Sequence, residues 1–181
     1  MKKAIKIIVI VLGVLLLGLS WPAWHLYGEL QRARSEDPLV WEESVSALEA
    51  KTGNLYVPGQ AVVFVGSSSI RLWRTLEEDM APIPVVRHGF GGAKFNAVVH
   101  YAERLVTAYQ PRAVVIFAGT NDIDPAASKA PEVLLASYQA FVDKVRSKQP
   151  GLPIFYIGIT PSLEQTRLRH LARDHPPAIT G

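Results

Sequence analysis

Three groups of residues in this chain are of the types that acyl transfer requires. Ser67, Ser68 and Ser69 follow the apolar run Ala61 to Val65 and Gly66, while Gly89, Gly91 and Gly92 follow Val85 and Val86. Gly119, Thr120, Asn121 and Asp122 follow Ala113 to Ala118. A serine hydroxyl becomes a nucleophile once a base takes its proton, and backbone N–H groups with an asparagine amide are suitable donors for the oxyanion that then forms. Each group also has a plainer use. Ser68 has the type of a helix cap, Gly91 and Gly92 of a turn, and Asn121 of a loop cap.

The elements that must position these groups are legible from hydrophobic periodicity. Ala61 to Val65 and Ala113 to Ala118 are short, unbroken apolar runs rich in β-branched residues, as expected of strands covered on both faces. Val85 and Val86, after Pro82 and Pro84, predict another short strand, and Ile154 to Thr160 a last one. Helical faces separate them. Leu72, Trp73 and Leu76 predict a helix within Ile70 to Met80; Phe95, Val98, Ala102, Leu105 and Tyr109 predict one that Pro111 ends; Leu134, Tyr138, Phe141 and Val145 predict one that Pro131 opens. Upstream, Asp37 and Pro38 are an N-cap and first helical residue, and Trp41, Val45 and Leu48 form that helix's apolar stripe. Alternating strands and helices predict a three-layer α/β fold with a parallel sheet, whose ligand site lies outside the carboxyl ends of the strands. All three polar groups sit at such ends.

Lys2, Lys3 and Lys6 precede the apolar run Ile7 to Leu19, and Trp21, Trp24 and Tyr27 follow it. A lysine-led segment of about 20 residues with aromatic residues at its far end predicts a signal anchor over residues 1–24, lysines inside and the domain outside the inner (plasma) membrane. Trp21 and Ala23 make a poor small-residue cleavage pair, so secretion after cleavage is the lesser alternative. Residues 25–37 are expected to be a polar tether, and 38–181 the domain. The 181 residues, 49% of them hydrophobic, make one ordinary domain with a short appendage. A net charge of +3 spread along the chain gives no basis for nucleic-acid binding. The absence of cysteine excludes disulfides and thiolate metal sites.

In order and spacing, VFVGSSSIRLW, RHGFGG and AGTND resemble the three blocks of the SGNH (GDSL-like) hydrolase superfamily, particularly its single-domain esterases. The resemblance covers about Ala61 to Thr160. It implies a flavodoxin-like fold and ester hydrolysis through an acyl-enzyme, with neither metal nor cofactor. An ungapped match from Gly66 to Trp73 places Ser67 where the family usually has aspartate, and Ser68 at the nucleophile, with Ser69 as its rival. The Ser68 and Gly92 backbone N–H groups and the Asn121 side-chain amide then correspond to the oxyanion hole. Asp122 is expected to be structural, His88 at most to shape the pocket rim, and His100 to be packed or solvated on its helix.

The chain departs from the family at its general base. A C-terminal D-x-x-H block is the family's usual source of the base, yet no aspartate here has histidine three residues on; Asp174 and His175 are adjacent instead. The family's last strand and helix are likewise expected to be missing. Three expectations follow, in order: the domain is incomplete at its C-terminal end, His170 or His175 serves as an unorthodox base, or the domain is a non-catalytic relative. The substrate class is a small acyl or acetyl ester of the cell envelope. The alternative from another class is an envelope module that binds its ligand without turning it over. Phosphate binding at Gly66 is disfavoured because the G-x-x-x-x-G-K-[ST] arrangement is absent.

Overall fold

The computed structural model describes residues 26–53, 58–123 and 129–159, together with Lys6, Gly18 and Trp24. Nearly all of the anchor expected over residues 1–24, and also His170, Asp174, His175 and the C-terminal segment where the last strand and helix are expected to be missing, lie outside the described residues. Among those described, no helix is long and apolar enough to cross a membrane.

Four strands, β1 (Val62–Gly66), β2 (Val85–Gly89), β3 (Ala113–Phe117) and β4 (Ile154–Tyr156), form a parallel sheet in the order β2-β1-β3-β4. The chain moves from β1 to one neighbour and then crosses to the other side, so the strand order reverses between β1 and β3, the flavodoxin-like switch point. Every residue of β1 is buried, which is why its sequence is continuous rather than alternating.

Helices cover both faces. Asp37 caps the first helical turn, its carboxylate accepting the Leu39 N–H at 2.9 Å; a 3₁₀ turn at Pro38–Trp41 then runs into α1 (Glu42–Thr52). Trp41 and Val45 from this segment pack on Val63, Val65 and Val86, together with α4 (Phe95–His100), α5 (Ala102–Leu105) and α6 (Pro131–Lys148). On the opposite face, α2 (Ser68–Leu72) and α3 (Leu76–Asp79) bring Ile70 and Leu76 against Val62 and Phe64. Here the structure differs from the single helix expected over Ile70 to Met80. The chain breaks at Trp73, whose indole N–H, with the Thr75 hydroxyl, donates to the Asp79 carboxylate at 2.5 and 2.8 Å. α4 and α5 are separated only by Tyr101, and the Leu105 N–H still bonds the Tyr101 carbonyl at 2.9 Å, so the expected apolar face is nearly continuous.

His88 shows how a polar residue is accommodated inside this core. It is fully buried on β2, with Nδ1 2.6 Å from the Leu105 carbonyl and Nε2 3.0 Å from the Thr52 hydroxyl. A carbonyl only accepts, so Nδ1 carries the proton; the Thr52 hydroxyl beside Nε2 also donates to the Leu48 carbonyl at 2.9 Å. Burial pushes the His88 pKa below its ordinary value, against the raising effects of the Leu105 carbonyl and Glu49.

Two expectations follow. The unfolded chain takes up a proton at His88 as pH falls through about 6.5, while the folded chain resists it. His88 therefore contributes stability above that pH that is lost below it. The thermal midpoint should fall between pH 7.5 and 5.5, above the range where carboxylates titrate, and this fall should flatten in His88→Gln. A Cβ on Gly89 would lie 2.1 Å from the Arg71 backbone nitrogen, whereas one on Gly151 would meet nothing within 4 Å. By urea unfolding, Gly89→Ala should cost about 2 kcal/mol or more, and Gly151→Ala no more than about 0.5 kcal/mol.

Candidate active site

The central strands end level. Gly66 pairs with Gly89 on one side and with Phe117 on the other, so the serine, glycine and asparagine groups emerge side by side at the switch point. Two further bonds hold the exits together: the Phe90 N–H donates to the Gly66 carbonyl at 3.1 Å and the Ser67 N–H to the Phe117 carbonyl at 3.3 Å.

Burial distinguishes the three serines. Ser67 is fully enclosed, its carbonyl accepting the Arg71 N–H at 3.1 Å while its buried hydroxyl has no hydrogen-bond partner. Ser68 is half-buried and opens α2; Ser69 is exposed. The Ser68 N–H belongs to the first turn of α2, where no intrahelical acceptor exists. Gly92 turns the glycine loop at φ +78°, a conformation that side chains resist, and a Cβ there would lie 2.9 Å from the Ala33 methyl. Asn121 stands in the 3₁₀ turn Thr120–Asp122 and donates through Nδ2 to the Ala93 carbonyl at 2.9 Å. That bond uses one amide hydrogen and leaves the second for another acceptor.

Asp122 ties the two loops together. Its buried carboxylate accepts the Phe95 N–H at 2.8 Å through Oδ2 and the Lys129 ammonium at 2.8 Å through Oδ1. Lys129 continues to Glu36, which also pairs with Lys94. Burial opposes the charged form of Lys129, but its bonds to Asp122 and Glu36 outweigh that and raise its pKa. Burial likewise opposes the charge on Glu36, and Lys129 and Lys94 more than compensate, so its pKa is lowered. Tyr156, stacked on Phe95 beside this cluster, has its phenol pKa raised by burial and by the Asp122 charge.

Neither described histidine serves these serines. Both ring nitrogens of His88 are engaged by Thr52 and Leu105, on the sheet face away from α2. His88 therefore sits in the core under the glycine block instead of at the pocket rim. His100 is exposed at the end of α4. Among the described residues no cluster of histidine, aspartate and glutamate could hold a metal.

Sequence reasoning missed Glu36 and Lys129. Residues 26–34, expected to be tether, are helical, and Glu36 just beyond them reaches the site. Nothing in a polar run before a helix distinguishes such a carboxylate, and Lys129 carries no motif of its own.

A family model described as GDSL-like Lipase/Acylhydrolase matches residues 61–175. No curated protein matches the chain significantly. Among solved structures, one described as "a putative platelet activating factor from Streptococcus pneumonia" is similar with a TM-score of 0.56 and 17% identity, over 77% of this chain and 62% of that one. The chain thus spans less than two thirds of that structure, and at this identity the likeness speaks for the fold. The family model runs through more than half of the chain and includes all three blocks found at the adjacent strand ends, so the chain belongs to the GDSL-like lipase/acylhydrolase family.

Proposed function

We propose that this chain is a serine ester hydrolase acting on small acyl or acetyl esters in the cell envelope. The observation that supports the reading is that the strand exits leading to Ser68, the Gly92 loop and Asn121 lie level and side by side around the switch point between β1 and β3. In this mechanism the Ser68 hydroxyl attacks the ester carbonyl, and the oxyanion receives hydrogen bonds from the Ser68 and Gly92 N–H groups and from Asn121 Nδ2. The tetrahedral intermediate collapses to an acyl-enzyme with loss of the alcohol, and water then releases the acid.

Attack needs a base, and positioned general-base help is typically worth ~10²–10⁴-fold. With both ring nitrogens of His88 committed in the core and His100 exposed at the end of α4, His170 and His175 are the candidate bases in this chain. The same commitment favours one second reading, in which the pocket holds an acylated ligand without turnover.

Fluorophosphonate labelling of the full-length protein separates the two. Rapid modification located at Ser68 and lost in Ser68→Ala is expected of the hydrolase. Modification at Ser69 would move the nucleophile by one residue, and ligand binding that survives Ser68→Ala without any labelling would support the binding module.

Anchoring by residues 1–24 is part of the same proposal, with the domain on the outer face of the inner membrane. Support comes from the lysine-led apolar run and from Trp24 and Tyr27, which are 78% and 58% exposed beyond it. The protein should resist alkaline carbonate extraction, and its domain should be cleaved by protease added from the periplasmic side.

A further inference from the structure

We propose that Glu36 is a positioning residue for the oxyanion donors, a role that rests on the ester-hydrolase reading of the same site. Its carboxylate straps the Gly92 loop to the Asn121 loop. Oε1 lies 2.6 Å from Lys94 Nζ, two residues beyond Gly92, and Oε2 lies 2.8 Å from Lys129 Nζ, on the far side of the Asn121 turn. Lys129 also pairs with Asp122 at 2.8 Å, and Asp122 takes the Phe95 N–H at 2.8 Å. Phe95 adjoins Lys94, so the bonds close a ring: Glu36, Lys94, Phe95, Asp122, Lys129 and back to Glu36. Within it lies the Asn121 bond to the Ala93 carbonyl.

The strap is held at its own end as well. Lys94 Nζ donates to the Arg34 carbonyl at 3.0 Å and Asn96 Nδ2 to the Glu36 carbonyl at 2.6 Å. Ala33 packs where a Gly92 side chain would stand. The cations are largely enclosed, with Lys94 13% and Lys129 23% exposed, and the Asp122 side chain is 1% exposed, whereas Glu36 itself is 57% exposed. An ion pair so open to solvent adds little to global stability. Its effect is local: it sets the separation of two loops whose donors must converge on one oxygen, where small displacements are costly.

The test uses the full-length protein with Glu36→Gln, Lys129→Met and the double variant, read by saturation kinetics of fluorophosphonate labelling and by hydrogen exchange. In Glu36→Gln the limiting labelling rate should fall ~10-fold or more, and the half-saturating concentration should stay within about twofold, as expected when transition-state interactions alone are lost. The double variant should label no more slowly than Lys129→Met, because both lesions open one ring. Exchange should rise at the Phe95 amide and across residues 91–96 and 119–123, with β1 unchanged. Unchanged exchange in Glu36→Gln, or single-variant effects that simply multiply in the double, would overturn the proposal. If Lys129→Met does not fold, Lys94→Met opens the same ring from the other side. Absence of labelling in the unsubstituted protein would count against the ester hydrolase, while exchange at Phe95 would still decide the positioning role.

Discussion

Parallel pairing carries Val62 to Gly66 against Val85 to Gly89 on one side and Ala113 to Phe117 on the other, residue for residue. The three chains therefore leave the sheet at one height. A parallel strand cannot turn back on its neighbour, so each exit must run into a helix across a face of the sheet, and the exits of β1 and β3 diverge to opposite faces. Ser68 and Asn121 stand at these two exits. Small residues make the crossing possible. A Cβ on Gly66 would meet the Phe117 carbonyl oxygen at 2.1 Å, and one on Gly89 would meet the Arg71 nitrogen at the same distance. α2 consequently packs hard against β2 at Ile70 and Arg71, two and three residues beyond Ser68.

What the sheet places, the polar ties hold. Asp122 is a nearly buried carboxylate, a costly group unless its charge is paired and its oxygens are bonded. Phe95 N–H and Lys129 satisfy one oxygen each, and in doing so join the start of α4 to the turn that carries Asn121. The carboxylate thus ties the backbone at Phe95 to the turn after β3. Glu36 extends the same arrangement to the segment that leads into the domain from the N-terminal side. A stretch that looks like a connector is in this way part of the wall around the site.

Two buried polar side chains stand near each other on the neighbouring strands β1 and β2, His88 within β2 and Ser67 just past the end of β1, and have opposite fates. His88 has a partner for each ring nitrogen and is kept neutral by its surroundings. Ser67 has a buried hydroxyl with none, an arrangement that typically costs ~1–3 kcal/mol. The first reinforces the core on the face of α1 and α5. The second lies directly beside Ser68, between the end of β1 and the start of α2.

Sequence alone determined the alternation of strands and helices, because burial on two faces demands unbroken apolar runs and burial on one face of a helix demands a 3.6-residue period. It also determined that serine, glycine and asparagine groups follow three of those runs, and their order carried the resemblance to the family that the chain proves to belong to. The Asp37 cap was legible for the same local reason: a side-chain oxygen needs only the N–H two residues on. Strand order, by contrast, depends on contacts between residues far apart in the chain. The tertiary structure alone decided that β1 lies between β2 and β3, that His88 faces the core, and that Ser67 is enclosed while Ser69 is open. It alone joined Glu36 to Lys94 and Lys129, 58 and 93 residues away. A charge pair across such distances leaves no periodicity or spacing in the sequence, since only the folded path brings its members within reach.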